Sequence, residues 1–179
     1  QQSALMMIDA FLPEGITRLA VDSIFMMPQL GVLTEVHKGA ATEVFNKDCL
    51  IHLGTCISPV GEAKAGKDML KYKFEFPDGR SEEGALIFGE MKKFELGFDE
   101  KTNLPLKAKA VLTPEGRLDI GAGKGTKVET MVSGGVVGIV LDGRGRPFVL
   151  PTDEKERVSK LKEWMTILDI YPEKSLERS

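Results

Sequence analysis

The chain has 179 residues, 42% of them hydrophobic, and a net charge of −3 with acids and bases interspersed. That length can bury a core of ordinary size, and the scattered charge argues against a nucleic-acid surface. No apolar run approaches the roughly 20 residues that a bilayer-spanning helix needs. Gln1 to Leu12 lacks the basic region and small-residue cleavage site of a signal peptide. The chain does not begin with Met and opens inside a helix-like stretch, so the expectation is an excised piece of a cytoplasmic protein that lacks its natural start. Two cysteines without a secretion signal fit free thiols in a reducing compartment. The 19 glycines, many beside Asp, Pro or Glu, are the turn punctuation of a sheet protein.

In chain order, Ser3 to Leu12 spaces Leu5, Ile8 and Leu12 as a short apolar helix, which Pro13-Glu14-Gly15 ends. Ile16 to Asp22 reads as a strand. Ile24 to Leu33 contains Pro28 and Gly31, so it reads as a broken helix or a covered loop. Gly39 to Asn46 holds a helical turn or two, and Leu50 to Val60 a strand. Asp68 to Phe76 alternates Leu70, Tyr72, Phe74 and Phe76 against Lys71, Lys73 and Glu75, the pattern of a half-buried antiparallel strand. Pro77-Asp78-Gly79 turns it toward a strand near Ala85 to Phe88. Further strands are expected at Lys92 to Phe98, Leu106 to Leu112 and Lys127 to Val132.

The least polar run is Gly134 to Pro151 (GGVVGIVLDGRGRPFVLP). Val136 to Leu141 is apolar on both alternating faces, so it should be covered on both sides. Asp142-Gly143 reads as a hairpin turn returning Phe148-Val149-Leu150 beside it. Asp153 can cap a final helix with Glu156 three residues on. Its apolar face is Val158, Leu161, Trp164, Met165 and Leu168, and Tyr171-Pro172 stops it. The expected fold is one domain over 1–179, mainly β (α+β). It is an antiparallel hairpin-rich sheet or barrel of seven to nine strands, with a short N-terminal helix near 3–12 and an amphipathic C-terminal helix near 153–169.

Three clusters carry candidate chemistry. Gly121 to Thr126 (GAGKGT) fails both the P-loop and the dinucleotide spacing, and reads as an inter-strand loop. His37, Cys49, His52 and Cys56 fall within twenty residues and could form a small metal site. Strand parity, though, puts His52 and Cys56 on one face and Cys49 on the other. Asp142, Arg144 and Arg146 crowd one hairpin tip. They either order the turn and pair locally or grip an anionic ligand or a partner's carboxylate. A fourth cluster, Phe25-Met26-Met27, is either core packing or an adaptable partner surface. No serine, cysteine or carboxylate pair has a catalytic setting, so no catalytic residue is expected.

Three stretches together resemble one family: LGTCISPVG (Leu53 to Gly61), LAVDSIFMMPQLGVL (Leu19 to Leu33), and GGVVGIVLDGRGRPFVLP followed by Arg157, Leu161, Trp164 and Tyr171-Pro172. In order, they look like the C-terminal region of the glutamate mutase L family. Its members are similar to actin-like and Hsp70-like ATPases and accompany adenosylcobalamin-dependent glutamate (methylaspartate) mutase and related amino-acid mutases as reactivating or chaperone components. The resemblance implies a non-catalytic interaction domain. Its partner would be such a mutase or the ATPase body of its own chain, with no nucleic acid and no membrane. The family's phosphate-binding motifs lie N-terminal to the region matched here. ATP and cobalamin are therefore implied only for the longer protein and its partner, and no cofactor for these residues.

Overall fold

Alternation and bare backbone together build this molecule. The computed structural model describes residues 2–170. The elements in order are α1 (Gln2–Phe11), β1 (Gly15–Asp22), α2 (Met27–Val44) and a π-helical turn (Phe45–Cys49). Then come β2 (Leu50–Ser58), β3 (Asp68–Glu75), β4 (Ser81–Ile87), β5 (Met91–Phe94) and β6 (Lys107–Pro114). β7 (Val128–Ser133), β8 (Gly138–Asp142) and α3 (Glu154–Ile167) complete the described chain. The expected strand-dominated α+β class is what the structure has, but neither sheet closes into a barrel.

The strands form two four-stranded sheets, ordered β1-β2-β8-β5 and β4-β3-β6-β7. The second is antiparallel throughout. Its inward side chains are those the alternation named: Leu70, Tyr72 and Phe74 on β3 and Ala108, Ala110 and Leu112 on β6 are buried, while Lys71, Lys73 and Glu75 face water. Large opposes small, since Phe74 pairs with Ala110 and so leaves room for the Phe94 ring, 5.2 Å away, from the other sheet.

The first sheet is mixed. β2 runs antiparallel to β1 and parallel to β8, and β8 runs antiparallel to β5. Ile57, Ile139 and Leu141 point into the core between the sheets. Leu19, Leu53, Cys56, Val137 and Val140 point the other way, onto Ala4 and Ile8 of α1 and Trp164 and Leu168 of α3. The layers are therefore helices, mixed sheet, antiparallel sheet. β8 is covered on both faces, which is why its sequence is apolar on both parities.

The glycines of GGVVG have a geometric cause. A Cβ on Gly138, at φ +94°, would lie 2.3 Å from the Phe94 carbonyl oxygen, and one on Gly54 would lie 1.8 Å from that of Gly138. β2, β8 and β5 meet through backbone that admits no side chain.

Three expectations are corrected. Phe148-Val149-Leu150 is not a returning strand: β8 already has β2 on one side and β5 on the other, so no ladder position is left. Ile24 to Leu33 and Gly39 to Asn46 belong largely to one helical arm, α2, bent at His37 (φ −147°, ψ 79°). Pro28 is tolerated because it lies in the first turn, where its missing N–H has no helical partner to lose. The α3 face is covered only toward its end, with Trp164 and Leu168 buried but Val158 and Leu161 partly exposed. The Asp153 cap stands as expected, its carboxylate accepting from the Glu156 N–H at 2.9 Å. Tyr171 and Pro172 lie outside the described residues.

Candidate functional site

Asp142 is the last residue of β8, and the four that follow turn back beneath the helices. Asp142 is 1% exposed, and Arg144 and Arg146 are 4% and 7% exposed. Arg144 meets Asp142 as a two-pronged fork, Nε at 2.9 Å from Oδ1 and Nη2 at 3.0 Å from Oδ2. The Arg144 backbone N–H donates to the same Oδ1 at 3.1 Å. Arg146 Nη2 donates to Asp142 Oδ2 at 2.9 Å and to Ser58 Oγ at 3.0 Å. Its Nε reaches the Pro13 carbonyl at 3.1 Å and its Nη1 the Gly145 carbonyl at 2.9 Å.

The cluster also grips the helices. Arg144 Nη2 lies 2.8 Å from Asp9 on α1. Its guanidinium sits over the rings of Phe148 and Trp164, 4.7 and 5.1 Å from their centres. One acid and two bases thus tie α1, the α1–β1 loop, β2, β8 and α3 together. Burial pushes the Asp142 carboxyl toward protonation, but the Arg144 and Arg146 guanidiniums outweigh that and hold it below its ordinary value. Burial, with the nearby Asp142 charge, pushes the Cys56 thiol up to about 12, so it stays protonated and unreactive.

The cluster is therefore interior. Both Asp142 oxygens and every Arg146 nitrogen are engaged within the chain, so these two side chains are spent on holding the fold. The stack of Arg144 on Phe148 and Trp164, and its pairing with Asp9, were not foreseen. Asp9 is 135 positions from Arg144 in the sequence, and no local pattern signals such a contact.

The metal cluster does not assemble. Among the described residues no group of three or more His, Cys, Asp or Glu side chains is placed to hold a metal ion. His37 sits at the α2 bend, where its Nδ1 accepts the Ala40 N–H at 3.1 Å and so caps the second helical segment. His52 Nε2 lies 3.2 Å from the Asn46 carbonyl oxygen. Cys49 and Cys56 are both buried as free thiols. The β1–β2 register slips between Leu19 and Ala20, and Leu53 and Cys56 face the same layer though three residues apart. The parity that would align His52 with Cys56 fails at that bulge.

GAGKGT is a loop, as its spacing indicated. The N–H groups of Gly121, Ala122 and Gly123 all point at Asp119 Oδ1, at 2.7, 3.1 and 3.0 Å. The chain's own carboxylate fills the cradle that an anion would need. These N–H groups, Gly121's first, hold Asp119 below its ordinary pKa.

Phe25-Met26-Met27 is the part of the candidate set that faces outward. Phe25 is 81% exposed and Met27 56%, with Met26 half-buried between them. Asp22 Oδ1 accepts the N–H groups of Ile24 and Phe25 at 3.2 and 2.9 Å, which holds Phe25 at φ +55°. That left-handed backbone is uncommon for an aromatic residue. Along α2 the apolar exposure continues through Val32 (68%) and Val36 (85%). Met27, Leu30 and Gly31 line a shallow groove with Ala41, Thr42 and Phe45.

No protein-family model, no curated protein and no solved structure matches this chain.

Proposed function

We propose that this chain is a non-catalytic interaction domain of an accessory protein resembling the reactivating ATPases of adenosylcobalamin-dependent glutamate mutase, and that Phe25 and α2 are its docking surface. The observation that carries the docking role is the exposure of Phe25, Met27, Val32 and Val36 along one helical arm. Several large apolar side chains left bare within twelve residues fit a surface that a partner covers. Among the described residues, the buried Asp142, Arg144 and Arg146 are paired with one another or with Asp9, and the Cys56 thiol is shifted away from reactivity. The identity of the partner rests on the motif resemblance alone. It is an adenosylcobalamin-dependent amino-acid mutase or the ATPase body of the longer chain.

The test is binding of the chain to the mutase from the same source, compared with a Phe25→Ser, Val36→Ser double variant. Both positions are exposed, so the variant should fold and lose binding. Binding that survives the double substitution in a folded protein would refute the surface. ATP hydrolysis by these residues, abolished by a point substitution among them, would refute the non-catalytic reading.

A further inference from the structure

A pocket of about 380 Å³ opens between the π-helical turn, the start of β2 and the 98–104 loop. The chain has two asparagines, Asn46 and Asn103, and both line it, beside Asp48, His52, Phe98 and Leu104. Asn46, Asp48, Asn103 and Leu104 are exposed and His52 and Phe98 half-buried, so a ligand can reach them without the fold opening. Asn46 and Asp48 come from the π-helical turn, a geometry that recurs at functional sites. The loop is ordered before any ligand arrives. The Asp99 carboxylate accepts the Lys101 and Thr102 N–H groups at 3.1 and 2.8 Å, and the Asp99 carbonyl accepts that of Asn103 at 2.8 Å. Asn103 is thereby held at φ +53°, a left-handed conformation that asparagine tolerates.

Among the uncommitted polar groups acceptors predominate. Asn46 Nδ2 donates to the Thr42 carbonyl at 2.8 Å, which leaves its Oδ1 uncommitted. His52 Nε2 lies 3.2 Å from the Asn46 carbonyl oxygen, which can only accept, so Nε2 carries the hydrogen and the neutral ring presents Nδ1 as an acceptor. The Asp48 carboxylate and the Asn103 amide have no hydrogen bond or ion pair among the described residues. Lys47, the cation at the rim, is paired with Glu43, so the Asp48 charge stays uncompensated.

We propose that this pocket binds a small organic cation that carries N–H donors on an apolar body, such as an amidinium, which donates to Asp48 while its body lies against Phe98 and Leu104. The choice of a cation follows from the groups left over. An anion would face the Asp48 charge with Lys47 already engaged. A neutral amide could donate too, but a hydrogen bond to an ionised partner is about twice as strong when the donor is also charged. The Phe98 ring adds a face that attracts a cation.

Benzamidine, benzamide and benzoate share one shape and differ in charge and donors, so they separate these cases. The side-chain amide cross-peaks of Asn46 and Asn103 in a nitrogen–proton correlation spectrum of the full chain report on this pocket alone. Benzamidine should move both saturably, benzamide should bind about tenfold more weakly, and benzoate should not bind. Asp48→Asn keeps the size of an exposed side chain and removes its charge. It should leave the circular dichroism spectrum unchanged and weaken benzamidine about tenfold. No saturable shift with benzamidine overturns the proposal. So does benzamide or benzoate binding as tightly as benzamidine, or undiminished benzamidine binding in folded Asp48→Asn. The three probes on the parent chain decide the charge preference independently of that variant.

Discussion

Replacing Arg144 by Ala removes more than a loop side chain. Its side chain is 1% exposed and faces an Asp142 side chain that is 0% exposed. Truncation leaves Asp142 with Arg146 as its one remaining cationic partner and leaves the faces of Phe148 and Trp164 over a void. Breaking one partner of a buried ion pair costs about 3–5 kcal/mol, because the other charge stays behind without compensation. Arg146 still holds one Asp142 oxygen, so the lower end, about 3 kcal/mol, is the expected loss. With an m-value of about 2 kcal/mol/M in urea, the midpoint should fall by roughly 1.5 M. The assay is urea denaturation followed by far-ultraviolet circular dichroism. Arg80→Ala serves as control, since its pair with Asp78 is about half exposed and screened by solvent, so its loss should move the midpoint far less. If Arg144→Ala loses no more than Arg80→Ala does, the cluster is not the tie described above.

Three further outcomes follow from the same interior. Gly138→Ala should destabilise by more than the roughly 1 kcal/mol that a compatible Gly→Ala change would gain, because its Cβ would meet the Phe94 carbonyl at 2.3 Å, and a urea midpoint close to the parent's would refute the close approach. Val137→Asp should leave the chain unfolded by circular dichroism, since position 137 is 3% exposed and packs in the cluster under the helices, where a carboxylate would lose its hydration. For Asp142, the folded carboxyl lies below its ordinary value of 3.8, so its contribution is present in full above about pH 4 and is lost as pH falls through the folded value. The stability gap between the parent and Asp142→Asn should therefore be constant around neutrality and narrow in acid. A gap that widens in acid would invert the sign of this linkage.

The strands were legible wherever one face is wet. Lys71, Lys73 and Glu75 alternating with Leu70, Tyr72 and Phe74 mark β3 directly. The double apolar parity of β8 correctly foretold cover on both sides. What periodicity could not supply was which strands flank β8. β2 reaches it in parallel from about 80 residues away, and the Asp-Gly signal at Asp142 suggested a local hairpin instead. The same non-locality hid the site. A carboxylate and two guanidiniums in five residues look like a solvated tip, and only the distant Asp9, Ser58 and Trp164 turn them into a buried tie. Helix α2 was obscured for a different reason: Pro28 and Gly31 read as breakers, and His37 does interrupt it, but the interruption is a capped bend and not an end.

α2 is held to the rest by few contacts compared with β8, and the difference is measurable. Its one extensive contact among the described elements is with the π-helical turn that follows it, and only Leu30 and Ala41 of its 18 residues are buried. β8, in contrast, is buried at all five positions and hydrogen-bonded on both sides. Opening α2 exposes little apolar area that was not already exposed, so it should cost far less than global unfolding. Opening β8 removes both core clusters at once. Native-state hydrogen exchange should accordingly place the α2 amides at low free energies, insensitive to small additions of denaturant, and the β8 amides at the global value with the full denaturant slope. α2 amides as protected as those of β8 would mean that the arm is locked to the sheets. The apolar run from Phe25 to Val36 would then lose the freedom to adapt that makes it suited to meeting a partner.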